Sequence, residues 1–236
     1  MRARGFTLVE CLIGLSLSLF VVCACLEFFG AAQKSYFRLK EKEEASQSAL
    51  AALDKMSADI LRAGEGLVLP VSLGLIEPVA ESGGGLEIIR AERAYELSAA
   101  AGAGDTRIRL AATTDLKPGR EICLLDDENA EVHTVSSVES KDVVLTTPAG
   151  RAYAPEKTSL LLLEKILLAL DTRQGVLRRR VNLSTAQPLL EDAAEAGFFV
   201  DKAANIVRVR LRLNSQGDAA YEFQLFPKNA ALAGKG

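Results

Sequence analysis

The sequence predicts an α+β protein in which one long N-terminal α-helix precedes a C-terminal domain of antiparallel β-strands. Three observations support this fold class. Residues 6–32 are apolar at most positions, and residues 31–63 contain neither Gly nor Pro. From residue 86 onwards, short apolar or alternating segments are separated by turns rich in Gly, Pro, Asn and Asp. Long uninterrupted periodicity favours a helix, and short segments between turn residues favour strands.

Length and composition are those of a folded protein. The 236 residues suffice for one good-sized domain or a domain with a sub-domain. A net charge of −3 and a pI near 5.4 give no bulk reason to expect a nucleic-acid partner. Trp is absent and only 6% of residues are aromatic, so we expect an aliphatic core.

The first element is a membrane segment that contains one carboxylate. The sixteen residues from Cys11 to Leu26 carry no charge. A helix over Phe6–Phe29 would be about 36 Å long, enough to cross the roughly 30 Å hydrocarbon core of a bilayer. Glu10 lies inside this segment, and an ionisable residue within a membrane span is usually paired and functional. Glu10 is therefore the first candidate functional residue.

Three interpretations of the N-terminus are open. A secretory signal would be cleaved near Gly30-Ala31-Ala32, and a lipoprotein signal would be acylated on Cys25. Neither interpretation gives Glu10 a role. The third is a retained anchor that is cleaved before the apolar segment, and it explains Glu10 directly.

The segment Arg4-Gly5-Phe6-Thr7-Leu8-Val9-Glu10 resembles the cleavage and methylation motif of type IV pilins and type II secretion pseudopilins. The resemblance implies that residues 1–5 are a leader and that a prepilin peptidase cuts between Gly5 and Phe6. Phe6 would then be N-methylated, and Glu10 would be the assembly residue. The new amine, with a reference pKa of about 7.7–8.0, would be cationic and would meet Glu10 of a neighbouring subunit.

A second match lies further along the helix. Asp59-Ile60-Leu61-Arg62-Ala63-Gly64 resembles the helix end of PilW-type minor pilins. Three weaker matches to the same family are Gly83–Arg90, Leu177-Arg178 and Gln187-Pro188-Leu189. The apolar helix lacks a proline and the C-terminus lacks a cysteine pair, and both features depart from the major pilins. The resemblance thus implies a minor pilin with the pilin fold, in which the helix packs on a β-sheet head.

The helix divides into two predicted halves. Residues 6–30 form the transmembrane and assembly half, and residues 31–64 form an amphipathic half that ends at Gly64 and Gly66. Residues 65–236 then form a β-rich periplasmic head. The apolar positions that recur at helical spacing in the second half are Tyr36, Leu39, Ala49, Leu53, Met56 and Ile60.

Within the head we predict a main sheet and a small inserted β sub-domain over residues 105–148. The segment Ser98–Gly104 is interpreted as a hinge before it, and Glu191–Ala196 as a short turn or helix. The sub-domain strands are Arg107–Leu110, Glu121–Leu125, Val132–Val138 and Val143–Thr146. The main-sheet strands are Leu86–Ala91, Leu160–Leu170, Gly175–Val181, Asn205–Leu213 and Tyr221–Phe226.

No pattern predicts catalytic, cofactor-binding or metal-binding residues. His133 is the single histidine, with Glu131 two residues before it, and catalytic triads or metal centres need more converging groups. Cys123 is the one cysteine outside the apolar segment, and we expect it to be a buried strand residue. The turn Asp126–Asn129 lacks the alternating ligands of a calcium loop.

Arginines alternate with apolar residues along one predicted strand, at Arg208, Arg210 and Arg212. Such a row could bind a polyanion, but the chain holds 31 acidic residues against 28 basic ones. A solvent-facing row that protects the strand from aggregation is the favoured interpretation. We therefore expect no nucleic-acid partner.

Taken with the resemblance, these features predict a non-enzymatic minor pilin that helps to initiate or cap a type IV pilus. The implied partners are prepilin peptidase, other minor pilins, the major pilin and the inner membrane. The implied location is the inner membrane, as a single-pass protein with a periplasmic head, and then the pilus tip. The alternatives are a minor pseudopilin of the J type in a type II secretion system, and a membrane-anchored periplasmic lipoprotein or enzyme.

Overall fold

The computed structural model describes residues 7–217 and 219–231. An α-helix, α1, spans Leu8–Leu61, and antiparallel strands make up about half of the rest of the described chain. The α+β class is therefore confirmed. In the described residues α1 is the one helix long and apolar enough to cross a membrane. Its most apolar segment is unburied. These properties are compatible with a membrane anchor. The chain divides into two compact units after Gln47.

In the second unit, α1 buries one narrow face. Ala49, Ala52, Met56 and Ile60 are at most 1% exposed, at spacings of three or four residues. Tyr36 and Leu39, the first two positions of the predicted helical spacing, belong to the first unit and are 64% and 68% exposed. Within the second unit, the buried face of α1 runs from Ala49 to Ile60.

Glycines end the helix, close to where the sequence predicts. Gly64 and Gly66 have φ angles of +72° and +74°, which L side chains adopt rarely. The Gly64 N–H donates to the Ile89 carbonyl at 2.8 Å, and a Cβ at Gly66 would lie 2.8 Å from the Ala91 side chain. The helix end is thereby joined to a strand. A short helix that was not predicted, α2, follows at Val68–Ser72.

Twelve strands and one 3₁₀ turn lie in the described part of the chain after α2. The strands are β1 Val79–Ser82, β2 Gly85–Glu96, β3 Arg107–Arg109, β4 Glu121–Leu125, β5 Ala130–Glu139, β6 Asp142–Leu145, β7 Ser159–Asp171, β8 Val176–Val181, β9 Gln187–Leu190, β10 Ala193–Asp201, β11 Ile206–Leu213 and β12 Ala220–Leu225. The 3₁₀ turn is Asn214–Gln216, between β11 and β12. Nine strands form one sheet in the order β1-β2-β7-β4-β5-β6-β3, with β8 added to β7 and β9 to β8.

Part of this large sheet closes into a small barrel. The first half of β7 pairs with β4 and its second half with β8. The end of β2 meets the end of β3 through a bridge between Leu97 and Leu110, and the Ser98 N–H donates to the Arg109 carbonyl at 2.9 Å. Strands β2, β3, β6, β5, β4 and β7 therefore enclose a common core. Its members include Ile108, Leu110, Ile122, Leu124, Val135, Val143, Tyr153, Leu160 and Leu162. The predicted 105–148 segment supplies β3–β6 of this barrel.

The predicted hinge at Ser98–Gly104 is wrong. Ala101 and Tyr153 form an antiparallel bridge, with N–H to carbonyl distances of 3.0 and 2.8 Å. The Gly104 N–H also donates to the Ala149 carbonyl at 2.8 Å. Backbone hydrogen bonds hold this Ala- and Gly-rich segment against the barrel wall, because pairing with residues about fifty positions away outweighs its flexible composition.

The last three strands form a separate sheet, in the order β10-β11-β12. We predicted β11 and β12 as part of the main sheet, which is wrong. We predicted Glu191–Ala196 as a turn or helix, but only Glu191 and Asp192 form a bend, and strand begins at Ala193. The latter segment leads into β10, whose Ala- and Glu-rich start has good helix propensity. Pairing of β10 with β11 over Ala193–Asp201 overrides that local preference.

Candidate functional site

The helix start is a capping box that the sequence reading missed. The Thr7 N–H and hydroxyl each donate to Glu10 Oε2 at 2.9 Å, and the Glu10 N–H donates to Thr7 Oγ1 at 3.3 Å. This reciprocal pair satisfies N–H groups that an α-helix leaves without intrahelical partners. The Thr-x-x-Glu spacing that signals such a cap was available in the sequence. Glu10 therefore has a local role in starting α1.

The surroundings of Glu10 leave room for a further partner. The flanking side chains Leu8 and Leu12 are 80% and 58% exposed. Within residues 7–217 and 219–231, Glu10 forms no ion pair. The other two predicted site residues, Gly5 and Phe6, lie outside the described residues, so the cleavage and methylation prediction stays a prediction.

A buried ion pair joins α1 to the large sheet. Asp59 on α1 is 2% exposed and accepts two hydrogen bonds from Arg179 on β8, Nε to Oδ2 at 2.6 Å and Nη2 to Oδ1 at 3.1 Å. A bidentate guanidinium–carboxylate pair is the strong, geometrically specific form of this contact. The Arg179 side chain is 18% exposed. The pair fixes the position of this helical turn on the sheet.

The buried pair belongs to a larger cluster of charged side chains. Arg90 on β2 lies 3.9 Å from Asp59 and is hydrogen-bonded to Glu164 on β7. Lys55 on α1, whose side chain is 52% exposed, also lies 3.9 Å from Asp59, so two carboxylates meet two guanidiniums and one ammonium group. Removal of Asp59 would leave the guanidinium of Arg179 beneath the helix without its carboxylate partner, and breaking a buried pair in this way is strongly destabilising.

The sequence contained a partial signal for this cluster. Asp59 was singled out only as part of the helix-end motif, and Arg179 only as the middle of Arg178-Arg179-Arg180. Successive residues of a strand face opposite sides of the sheet, so the middle arginine must face away from its neighbours. The pairing itself spans 120 residues and was beyond local patterns.

His133 lies in the barrel wall and is part of a small polar cluster. It is 6% exposed, with Nδ1 2.9 Å from Thr147 Oγ1 and Nε2 3.2 Å from Glu131 Oε2. Burial opposes ionisation of Glu131, but hydrogen bonds, first from the Gly150 N–H, hold its pKa below the usual value. Burial and the Glu131 charge raise the pKa of the Tyr153 hydroxyl. The cluster orders the loop after β6 against β5.

Cys123 and Asp126, two other positions considered in the sequence, have structural roles. Cys123 is fully buried in β4, as predicted, and burial raises the pKa of its thiol to about 12. Asp126 accepts the N–H groups of Glu128 and Asn129 at 2.8 and 2.7 Å, which makes a tight turn. Across the described residues, no three His, Cys, Asp or Glu side chains are grouped closely enough to hold a metal ion.

The arginine row of β11 is paired with neighbouring side chains. Arg210 lies 3.4 Å from Glu222 on β12 and 3.9 Å from Glu195 on β10, and Arg212 lies 3.5 Å from Glu195. Arg208 covers the ring of Phe199, with 5.4 Å from Cζ to the ring centroid. Acidic neighbours thus compensate the positive charge of this row, and an aromatic ring contacts Arg208. These contacts agree with a solvent-facing surface of the sheet.

Comparisons with known proteins give few similarities. No family model and no curated protein matches the chain. Three phage tailspikes are similar to 31% of the chain and 14–15% of their own lengths: gp61 of Pseudomonas phage phi297 (19% identity, TM-score 0.28), Gp54 of Acinetobacter baumannii bacteriophage AP22 (14%, 0.29) and gp49 of Pseudomonas phage LKA1 (17%, 0.27). Similarity at this level gives no information about the overall fold or the function of this chain.

Proposed function

We propose that this chain is a minor pilin-like subunit of PilW type, which assembles by protein–protein contact after prepilin peptidase processing. The observation that carries the proposal is the position of the Gly5-Phe6-Thr7-Leu8-Val9-Glu10 segment. It stands directly before an apolar stretch of α1 that is long enough to span a bilayer. Cleavage after Gly5 would leave Glu10 as the fifth residue of an anchored helix.

The chemistry of the helix start supports a docking role. Glu10 is exposed among apolar side chains, and a carboxylate in lipid is favoured when it meets a cation. The new amine of Phe6 on an adjacent subunit would be such a cation. In this proposal the capping box holds Glu10 on the first turn, and the neighbouring amine approaches its carboxylate.

The remaining parts of the proposal follow from the same family. The head joins other minor pilins to initiate or cap the filament, and the major pilin polymerises below it. Before assembly the chain is a single-pass inner-membrane protein with a periplasmic head. A J-type pseudopilin of a type II secretion system would share the anchor. The experiment below distinguishes assembly into secretion complexes from assembly into surface pili.

Three substitutions separate docking from helix capping. Glu10→Gln keeps a side chain that serves in a capping box but removes the charge. Thr7→Ala keeps the charge but removes the cap, and Glu10→Ala removes both. We expect Glu10→Gln and Glu10→Ala to be inserted in the membrane but at least tenfold depleted from sheared filaments. Thr7→Ala should assemble at near wild-type amounts.

Quantitative immunoblotting of membranes and sheared filaments gives the answer. Wild-type amounts of Glu10→Gln in filaments, with loss of Thr7→Ala, would show that Glu10 acts only as a cap. Presence of the wild-type chain in purified secretion complexes but not in surface pili would favour the pseudopilin alternative. Absence from both assemblies would contradict the proposal.

A further inference from the structure

Apart from β3, which is joined to the end of β2, four strands in the described residues lie at the edges of the two sheets, and three of them are protected. The edge strand β1 has four residues, and its Glu81 side chain accepts the Val200 N–H of β10 at 2.8 Å. Strand β9 has four residues, one of them Pro188. In strand β10 the register with β11 shifts between Ala193 and Glu195, as it does at a β-bulge. Short length, proline and bulges are the usual means by which proteins prevent strand addition.

Strand β12 has none of these protections. Its six residues, Ala220–Leu225, stay in continuous register with β11 over Arg212–Val207. It contains no Pro, Lys or Arg. In the described residues β12 pairs with β11 alone, so its other edge presents backbone N–H and C=O groups without strand partners. An edge of this kind is a template for a further strand.

The side chains of β12 define what the added strand must carry. Tyr221, Phe223 and Leu225 lie on one face and are only partly buried, so apolar residues of an added strand would cover them. Glu222 lies on the other face with its side chain 67% exposed. Its Oε1 is 3.4 Å from Arg210 Nε, and most of the side chain stays open to solvent. A Lys or Arg directly opposite would complement this carboxylate.

We propose that β12 is the docking edge for an extended segment of a different protein. That segment has apolar residues at alternate positions and a basic residue opposite Glu222. A second copy of β12 fits less well, because this strand has no basic residue to offer. The inference stands on the open edge and the side chains of β12 and does not depend on the proposed pilin role.

The test uses the full-length protein in detergent micelles and a fluorescent peptide, acetyl-Ser-Val-Thr-Ile-Lys-Val-Thr-Ser-amide. In antiparallel register, its Lys lies opposite Glu222 and its apolar residues lie opposite Leu225, Phe223 and Tyr221. Binding is measured by anisotropy, and backbone protection by hydrogen exchange with mass spectrometry. We expect saturable binding with added protection confined to residues 220–225.

Two peptides N-methylated on alternate residues separate strand addition from hydrophobic adsorption. Only one edge of the peptide would face β12, so one N-methylated peptide should lose binding and the other should keep it. Equal binding of both, or no saturable binding of the parent peptide, would overturn the proposal. Protection of 220–225 in a dimer of the free protein would also overturn it, because a second copy would then occupy the edge.

A charge reversal tests the role of Glu222. Glu222→Lys should weaken binding of the Lys peptide about two- to fivefold and favour a peptide with Glu at that position by a similar factor. Glu195→Lys is the matched control, since Glu195 also contacts Arg210 but lies on β10, on the opposite side of β11 from β12. Equal effects of the two substitutions would contradict the assigned register. If Glu222→Lys fails to fold, the N-methylated pair on the wild-type protein still decides the proposal.

Discussion

Replacement of Asp59 by Ala should destabilise the folded domain severely. The substitution leaves the guanidinium of Arg179 beneath the helix without its bidentate partner, and Arg90 loses its second carboxylate. Removal of one member of a buried ion pair typically costs about 3–5 kcal/mol. Because the Arg179 side chain is 18% exposed, water reaches it, and we expect the lower end of that range.

Urea unfolding of the full-length chain in detergent, followed by far-UV circular dichroism, measures this loss. A loss of about 3 kcal/mol corresponds to a melting temperature lower by roughly 6–12 °C for a domain of this size. Asp54→Ala is the matched control, because Asp54 is exposed on the same helix. That control should change the unfolding free energy by no more than about 0.5 kcal/mol.

A double variant distinguishes an unpaired charge from lost packing. Asp59→Leu with Arg179→Met replaces both partners by apolar groups, and should lie within about 1 kcal/mol of the wild type. Arg179→Met alone should be as damaging as Asp59→Ala. If Asp59→Ala is no more destabilising than Asp54→Ala, the ion pair does not hold the helix to the sheet.

Two further predictions concern stability. Cys123 keeps its proton in the folded state, with a pKa of about 12 against 9.0 for an unperturbed thiol, so the unfolded state ionises first as pH rises. The free energy of unfolding should be unaffected by this thiol below pH 9 and fall by roughly 1.4 kcal/mol for each pH unit above it. Cys123→Ala should remove that part of the pH dependence in urea titrations at pH 8 and 10. The same pH dependence in the variant would contradict the buried thiol. A chain shortened to begin at Gln33 should have a much higher melting temperature than one that begins at Glu65, because only the former keeps the buried face of Met56, Asp59 and Ile60. Equal melting temperatures by differential scanning calorimetry would show that the helix does not stabilise the head.

The parts of the fold that follow local rules were predictable from the sequence. The apolar run, the absence of Gly and Pro over residues 31–63 and the glycines at 64 and 66 place α1 and its end to within a few residues. The Val-Arg alternation places β11, and each apolar residue of that strand from Val207 to Leu213 is buried. Periodicity and turn chemistry act within a few residues, so a sequence shows them directly.

The parts that depend on distant pairing were not predictable. Closure of the barrel depends on Leu97 meeting Leu110 and on β7 dividing its edge between β4 and β8. The start of β10 has helical propensity and becomes strand only because β11 pairs with it. At the candidate site, Glu10 was recognised from its charge in an apolar segment, whereas its cap with Thr7 was overlooked although the spacing was present.

Mass spectrometry of the mature N-terminus tests the central proposal most directly. The protein is purified from the membranes of cells with and without prepilin peptidase, and its N-terminal peptide is sequenced. We expect the chain from peptidase-containing cells to begin at N-methylated Phe6, and the chain from peptidase-deficient cells to retain residues 1–5. Gly14→Ala, at an open position on α1, should be processed normally. An N-terminus at Gln33, or a lipidated Cys25, would contradict the pilin-like anchor.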